Sequence, residues 1–374
     1  MKKLIFVLVL LFLSLVLSQL ILAQDEVRIG VIIPNTGEKA IYGETSRRGL
    51  LIAVGERPAV LGKRVNLLFC DNKSDKIESA NCAQKLIQKE KVIALIGPLS
   101  SSDTLSAGPV AEEAGIALIS PWATNPIVTQ DKKHVFRACF IDTFQGIVAA
   151  KFAREVLKAK TAAVMINVSE DYCVGLANFF KENFTKLGGE VLTTTSYQTG
   201  DQEFTAQLTS IKKLNPDIIY NPGYVVEDVL IARQAKDLGI DIPFLSGDAA
   251  EAEELIKNGG DSVQGWYLTT HYAEEGVTTD RGKRFIKLYG DKYKEKPDSV
   301  SALSYDSYNM LLNAIERAKK LDSTLISQEL GKTKDFEGVT GVITIENGNA
   351  IKPIVILKVE DNGFKYVSSV KPFD

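Results

Sequence analysis

Short runs of apolar, mostly β-branched residues alternate along this chain with segments whose apolar positions recur every three or four residues. The apolar runs predict buried strands at 27–33, 65–69, 92–96, 116–119, 162–166, 217–220, 243–245 and 264–268. The segments between them have helical spacing, and the predicted helices include 45–56, 76–88, 144–157, 175–187, 205–214 and 227–238. Apolar strands that alternate with amphipathic helices are typical of parallel sheets covered on both faces. The pattern therefore predicts a doubly wound α/β fold.

The C-terminal part of the chain has a different pattern. After a predicted long helix at 300–320, apolar segments at 341–346, 353–360 and 364–367 are separated by Asn347-Gly348 and by Asp361-Asn362-Gly363. Asn-Gly pairs of this kind join antiparallel strands through type I′ turns. We therefore expect an antiparallel annex that returns the chain across a lobe boundary.

The N-terminal segment has the order of a secretory signal peptide. Two lysines precede an apolar run from Leu4 to Leu17 that only Ser14 interrupts, and Ala23 is a small residue at the end. We predict a signal peptide over 1–23 and hence a periplasmic or extracellular protein. An uncleaved anchor helix is the alternative, because the apolar stretch approaches the roughly 20 residues that span a bilayer. The remaining chain of roughly 350 residues is long enough for two lobes.

Charge and motif content disfavour several function classes. The sequence has 44 basic and 47 acidic residues, so its net charge of −3 provides no basic field for nucleic acid. It contains no GxxxxGK[ST] phosphate loop, no GxGxxG after the first strand and no GxSxG nucleophile motif. His134 and His271 lack partners at metal-ligand spacing, and we interpret both as structural or surface residues. We expect no cofactor, and an enzyme is disfavoured.

Four cysteines in an exported chain can form disulfides. Cys70 ends a predicted strand and Cys82 lies in the helix that follows, so a local bridge is plausible. Cys139 and Cys173 could pair across the lobe junction. Buried free thiols are an equally reasonable interpretation of each pair, because cysteine fills cores well.

Serine and threonine residues follow two consecutive predicted strands. In open α/β sheets, ligands bind at the loops that leave the carboxyl ends of the strands. Ser100, Ser101, Ser102 and Thr124 stand there, where helices are expected to begin. The free N–H groups of a helix start suit an anion such as a carboxylate, and a hydroxyl adds one more donor. Plain N-capping explains each residue singly, but two such positions on neighbouring strand ends favour a shared anion site.

An acid and three tyrosines occupy other strand ends. Asp248 could pair with a ligand ammonium from the opposite lobe, or it could cap a helix. Tyr42, Tyr172 and Tyr224 could wall an apolar slot while their hydroxyls reach polar groups, or they could be partly buried loop aromatics. With the serines at 100–102 and Thr124, these residues make six strand-end positions. Three lie in each half of the chain, which favours a cleft between two lobes.

These residues resemble those of the periplasmic leucine/isoleucine/valine-binding proteins, the receptors of branched-chain amino acid ABC transporters. The likeness extends over nearly the whole mature chain, and its most specific parts are 96–102 (IGPLSSS), 119–126 (ISPWATNP) and 136–146 (FRACFIDTFQG). The resemblance implies a type I periplasmic binding fold, in which three crossings of a hinge join two Rossmann-like lobes. One lobe would comprise 24–142 and 272–347, and the other 143–271 and 348–374.

The resemblance also implies roles for individual residues. Ser101 and Thr124 would bind the ligand α-carboxylate, while Thr124, the carbonyl of Trp122 and Asp248 would bind the α-ammonium. Trp122 is larger than the small residue of the family pattern, which would reshape the side-chain pocket. The implied ligand-binding residues are Tyr42, Ser100, Ser101, Trp122, Ala123, Thr124, Tyr172, Tyr224 and Asp248.

The expected function is that of an extracytoplasmic receptor of an ABC importer. It would close around a branched-chain or similar apolar amino acid and deliver it to a membrane permease. The same receptor class with an amide, urea or aromatic acid as ligand is the alternative. A ligand sensor and a two-lobed enzyme, such as a sugar-nucleotide transferase, are further alternatives.

Overall fold

The computed structural model describes residues 26–372, so the predicted signal peptide at 1–23 lies outside the described residues. The first of its two large sheets has six strands in the order β2-β3-β1-β4-β5-β6. These strands are Glu26–Ile33 (β1), Ala59–Val60 (β2), Lys63–Asp71 (β3), Ala94–Ile96 (β4), Ala117–Ser120 (β5) and Val135–Arg137 (β6). All are parallel except β2, which pairs antiparallel with β3.

Helices cover both faces of this sheet. The helices between its strands are Ala40–Glu56 (α1), Lys76–Gln88 (α2) and Ser101–Ala114 (α3). Along β1, Ile32 belongs to a buried cluster with Leu86 of α2, whereas its neighbour Ile33 belongs to a cluster with Leu50 of α1. Successive residues of a strand point to opposite faces, so a strand that is buried on both sides has to be apolar throughout.

The second large sheet begins with five parallel strands. They are Thr161–Asn167 (β7), Glu190–Tyr197 (β8), Ile218–Tyr220 (β9), Phe244–Ser246 (β10) and Tyr267–Thr270 (β11). Its helices are Asp142–Lys151 (α4, continued by a π turn at Phe152–Val156), Asp171–Lys186 (α5), Thr205–Leu214 (α6), Val225–Asp237 (α7) and Glu253–Gly259 (α8). Single 3-10 turns occur at Pro126–Val128, Asp248–Ala250, Gly260–Val263 and Glu274–Gly276.

The chain then returns to the first sheet. Its next helices are Asp280–Tyr293 (α9), Ser299–Ala318 (α10) and Ser323–Gly331 (α11), and α10 packs against α1 and α11. Asp298 starts α10 with a capping box: its side chain accepts from Ser301 N, and Ser301 Oγ accepts from Asp298 N. The acid at this position thus satisfies backbone donors that the first turn leaves free.

The predicted antiparallel annex consists of two parts. Phe336–Gly338 (β12), Gly341–Glu346 (β13) and Asn349–Ile351 (β14) form a small antiparallel sheet, and Asn347 and Gly348 both have positive φ, as a type I′ turn requires. Ile354–Glu360 (β15) and Gly363–Val370 (β16) extend the second sheet, whose order is β16-β15-β11-β10-β9-β7-β8. The chain therefore passes between the two large sheets three times, after β6, β11 and β14.

The doubly wound α/β prediction is confirmed, although some elements differ. The helix predicted at 45–56 begins earlier, at Ala40, so Tyr42 lies in its first turn and not in a loop. Strand β8 was not predicted, because its sequence EVLTTTSY is polar and half-exposed at the edge of the second sheet. Helices α9 and α11 were also not predicted. Within the described range, no helix has the length and apolar character that a membrane span needs.

Candidate ligand-binding site

The carboxyl ends of the two parallel sheets face a common cavity of about 10 Å³. On the first sheet, the loops after β4 and β5 form its wall. On the second sheet, the wall consists of the starts of α5 and α7 and of the turn at Asp248. The lining residues are Ser100, Ser101, Trp122, Tyr172, Tyr224, Asp248 and Ala249. Six of the nine residues predicted from the sequence therefore meet in one place.

The start of helix α3 forms one wall. Ser100 is its N-cap and accepts from Asp103 N at 3.3 Å, while Ser101 Oγ accepts from Asn125 N at 3.1 Å. The preceding loop lies close over the sheet because Gly97 has a φ of 87°, and a Cβ there would lie 2.1 Å from the Ile32 carbonyl oxygen. The free N–H groups at the start of this helix face a site that suits an anion.

Thr124 does not open a helix, which corrects the sequence-based expectation. Residues 126–128 form a single 3-10 turn, and its N-cap is Asn125. Ala123 and Thr124 are buried, and neither lines the cavity. The buried Thr124 hydroxyl contacts the carboxyl of Asp142, so it is not a free polar group.

Arg137 holds the loop that contains Thr124. Its guanidinium is fully buried and donates to the carbonyls of Ala123 at 2.7 Å and Asn125 at 2.8 Å, and to Thr129 Oγ1 at 3.1 Å. A planar guanidinium can reach several carbonyls at once, which fixes the course of the loop. This role was not predicted from the sequence, although Arg137 lies at the end of β6.

The rings of Trp122 and Tyr224 belong to a second wall, and the ring of Tyr42 packs behind them. The Trp122 ring centroid lies 4.7 Å from that of Tyr42 and 6.3 Å from that of Tyr224. Tyr42 lies behind Trp122 and outside the cavity lining, and its hydroxyl donates to Ala249 O at 2.6 Å and accepts from Val225 N at 3.1 Å. Tyr42 therefore connects the first sheet to two loops of the second.

Asp248 is the acidic group of the cavity and receives three side-chain contacts. Its Oδ1 accepts from Gln145 Nε2 at 2.8 Å and from the Tyr172 hydroxyl at 2.9 Å, and its Oδ2 lies 3.1 Å from His271 Nε2. The hydroxyl can approach because Gly247 has no side chain: a Cβ there would lie 2.1 Å from it. Asp248 begins a 3-10 turn, and its carboxylate is held by side chains.

Gln145 and His271 were not among the predicted site residues. Burial lowers the pKa of His271 to about 4, so its ring is neutral at pH 7 and can donate one N–H to Asp248. His271 directly follows strand β11, so the strand-end rule applied to the last parallel strand would have found it. The interpretation of His271 as structural agrees with its burial. His134 lies elsewhere, with Nδ1 2.8 Å from Ser327 Oγ.

Polar contacts connect the strand-end loops of the two sheets beside the cavity. Lys39 Nζ lies 2.7 Å from Glu170 Oε1. Ser102 Oγ accepts from Asp171 N at 2.8 Å, and Asn125 Nδ2 donates to Asp171 O at 2.9 Å. The two sets of loops are therefore in direct contact.

Two of the four cysteines form a disulfide and two are free thiols. Cys70 and Cys82 form a disulfide between β3 and α2. Cys139 and Cys173 are buried free thiols, so the bridge considered for them is wrong. Burial raises the pKa of Cys139 to about 12, which keeps it protonated at neutral pH. Within residues 26–372, no group of His, Cys, Asp and Glu could hold a metal ion.

A polar cavity between the strand ends of two parallel sheets, with helix-start donors on one side and a carboxylate on the other, defines a solute-binding protein of the two-sheet α/β class. Residues 26–364 match the family model described as periplasmic binding protein, and the chain belongs to this family. It is a solute receptor and not an enzyme.

Solved structures and a curated relative are similar to this chain over most of its length. A leucine-binding protein from Thermotoga maritima is 44% identical, with a TM-score of 0.91 over 92% of this chain and 99% of that one. A branched-chain amino acid transporter substrate-binding protein from Streptococcus pneumoniae, solved with isoleucine, is 32% identical, with a TM-score of 0.88 over 93% and 100%. The leucine-, isoleucine-, valine-, threonine- and alanine-binding protein of Pseudomonas aeruginosa is 29% identical over 88% of each chain.

Proposed function

We propose that this chain is the extracytoplasmic receptor of an ABC importer and that it binds an α-amino acid as a zwitterion. The observation that carries the proposal is that Ser100, Ser101 and Asp248 line the same cavity. The ligand carboxylate lies at the start of α3, where N–H groups and hydroxyls stabilise an anion. The ligand ammonium lies against Asp248.

The surroundings of Asp248 support an ammonium partner. A carboxylate offers about four lone-pair positions. Gln145, Tyr172 and His271 occupy three of them, so one acceptor position remains for the ligand. A buried charge is tolerable when it is paired and hydrogen-bonded, and a ligand cation supplies that pairing. An amide, urea or aromatic acid offers no such cation.

Ligand capture involves closure of two lobes about the three chain crossings. Lobe 1 comprises 24–142 and 272–352, and lobe 2 comprises 143–271 and 353–374. We move the last boundary from 347 to 352, because β14 pairs with β13 and Arg137 N donates to Gly348 O. A ligand that contacts both lobes shifts the equilibrium towards the closed form, since those contacts exist only there.

The family supports the proposed partner and location. The relatives' descriptions as amino acid-binding proteins and transporter substrate-binding proteins support a membrane permease as the receiver of the ligand. The order of residues at the N-terminus supports export by a signal peptide over 1–23. The receptor then works in the periplasm or outside the cell.

Thermal unfolding with candidate ligands tests this function. The mature chain is heated with each amino acid, with the matching α-keto acid, and with simple amides, urea and benzoate. A ligand at 100 times its dissociation constant stabilises by about 2.7 kcal/mol, which raises the melting temperature. We expect at least one amino acid to do so while its α-keto analogue, which lacks the ammonium, does not. Stabilisation by an amide or an aromatic acid alone would contradict the proposal.

A further inference from the structure

The apolar wall of the cavity is formed by aromatic rings and one alanine. Among the described residues, Ala249 is the one aliphatic side chain in its lining, and the rest are two serines, an aspartate and three aromatic residues. A receptor for leucine or isoleucine needs apolar space beyond the ligand β-carbon, because burial of that surface supplies the binding energy. This cavity offers polar groups at both ends and aromatic rings beside them.

Trp122 occupies the space between the rings. Its centroid lies 4.7 Å from that of Tyr42 and 6.3 Å from that of Tyr224, while Tyr42 and Tyr224 lie 6.0 Å apart. Three rings at these distances are in mutual contact, within the range of packed aromatic pairs. No gap wide enough for a branched side chain remains among them.

The position of Trp122 is fixed by its neighbours. The Tyr42 hydroxyl donates to Ala249 O at 2.6 Å and accepts from Val225 N at 3.1 Å, so the ring behind Trp122 is held by the second lobe. Trp122 itself is 4% exposed. Moving the indole away would break this packing, and interiors resist such shifts because they are densely packed.

The cavity in this structure is small. Its volume is about 10 Å³, which is about the space that one water molecule needs. A ligand side chain therefore has to displace the packed rings, and the cost of that displacement rises with the size of the side chain.

We propose that Trp122 restricts this receptor to small amino acids, namely glycine, alanine, serine and threonine, by filling the space that a larger side chain would need. This inference rests on the proposed amino acid function and deepens it. The buried indole N–H of Trp122 has no acceptor among residues 26–372, and a ligand oxygen in the cavity supplies one.

Calorimetric titration of the mature chain and its variants tests the inference. The titrants are glycine, alanine, serine, threonine, valine, leucine and isoleucine. One methylene group that fits or fails to fit a pocket changes recognition by about 10-fold to 200-fold. We expect alanine or serine to bind at least about 10-fold more tightly than leucine, and Trp122→Ala to shift the leucine-to-alanine affinity ratio towards leucine by at least about 10-fold.

A conservative variant and a matched control keep the test valid if Trp122→Ala does not fold. Trp122→Phe keeps an aromatic ring and shifts the ratio in the same direction by a smaller factor. Trp266 stacks on Phe244 at 4.4 Å on a different surface, so Trp266→Phe is the matched control and leaves the ratio unchanged. Melting curves of all variants establish that they fold.

The outcomes separate this inference from the proposed function. If the wild-type chain binds leucine as tightly as alanine, or if neither Trp122 variant changes the ratio, the inference is wrong while the amino acid function stands. If no amino acid binds the wild-type chain, both fail.

Discussion

Lys39 Nζ lies 2.7 Å from Glu170 Oε1, and this ion pair joins the residue that precedes α1 to the residue that precedes α5. Both side chains are about nine-tenths buried or more. Burial alone would lower the pKa of Lys39, but the nearby Asp103 and Glu170 carboxylates outweigh it and raise that pKa. The pair therefore connects the loops of the two large sheets, and under the proposed lobe closure it would form only in the closed form.

Lys39→Met should weaken ligand binding. The variant leaves Glu170 buried without a cation in the closed form, while in an open form the carboxylate is hydrated. Removal of one partner of a buried pair costs about 3 to 5 kcal/mol, and we expect a rise of at least about 100-fold in Kd by calorimetry. The unfolding free energy of the ligand-free protein should change less.

A double variant distinguishes loss of the pair from loss of packing. Glu170→Gln in the Lys39→Met background should recover part of the affinity, because the Glu170 charge is then removed and only Asp103, 3.8 Å from Lys39 Nζ in the wild type, is left without its cation. Lys186→Met is the control, since Lys186 pairs with Glu182 on the exposed surface, where such pairs contribute little. If Lys39→Met binds as tightly as the wild type, the pair does not contribute to closure.

Asp248→Asn should reduce affinity for an amino acid by about 3 to 5 kcal/mol, because the ligand ammonium then lacks a counter-charge. The side chain keeps its shape, so a melting curve should show a folded protein. Calorimetry with the preferred amino acid measures the loss. Asp237→Asn, on the exposed end of α7, is the control and should bind normally. Unchanged affinity of Asp248→Asn would remove this carboxylate from the ligand site.

Much of the fold could be predicted from the sequence, because strands buried on both faces leave continuous apolar runs. Strand β1 and helix α2 show this, since each was predicted almost to its ends. Strand β8 was not predicted, because an edge strand needs few apolar residues and a run of threonines is also found in loops.

The candidate site was predictable to the extent that it follows strand ends. Ser101, Trp122 and Asp248 lie on the segments that follow β4, β5 and β10, so their positions in the sequence indicate their meeting point. Gln145 lies within helix α4, and no local pattern reveals that it contacts Asp248. Lys39 and Glu170 pair across 131 sequence positions, a relationship that exists only in the folded chain.

Arg137→Met should destabilise the protein and weaken ligand binding together. It leaves the buried carbonyls of Ala123 and Asn125 without donors, and each buried unsatisfied group costs about 1 to 3 kcal/mol. We expect a loss of roughly 3 kcal/mol in unfolding free energy by denaturant titration. Arg64→Met, at an exposed position, should change neither property. A variant that stays stable but loses binding would contradict the role of Arg137 in holding the loop.

His271 should make stability depend on pH. Burial lowers its pKa to about 4 in the folded protein, against 6.5 for an exposed histidine. Between these values the unfolded chain binds more protons, so the free energy of unfolding rises with pH. This contribution is complete above pH 6.5 and is lost as the pH falls towards 4. Over the whole window it amounts to roughly 3 kcal/mol.

His271→Gln isolates this contribution, because glutamine can still donate to Asp248 but does not titrate. Glu251 works in the opposite direction: burial raises its pKa to about 8, so it removes stability as the pH rises from 4.5 to 8. Both proteins contain Glu251, so its contribution cancels when the variant's curve of unfolding free energy against pH is subtracted from that of the wild type. In denaturant titrations at pH 4 to 7, the stability difference between wild type and variant should shrink by roughly 3 kcal/mol on acidification. A difference that stays constant would mean that His271 gains no proton on unfolding in this range, contrary to its burial beside Asp248 and Lys352.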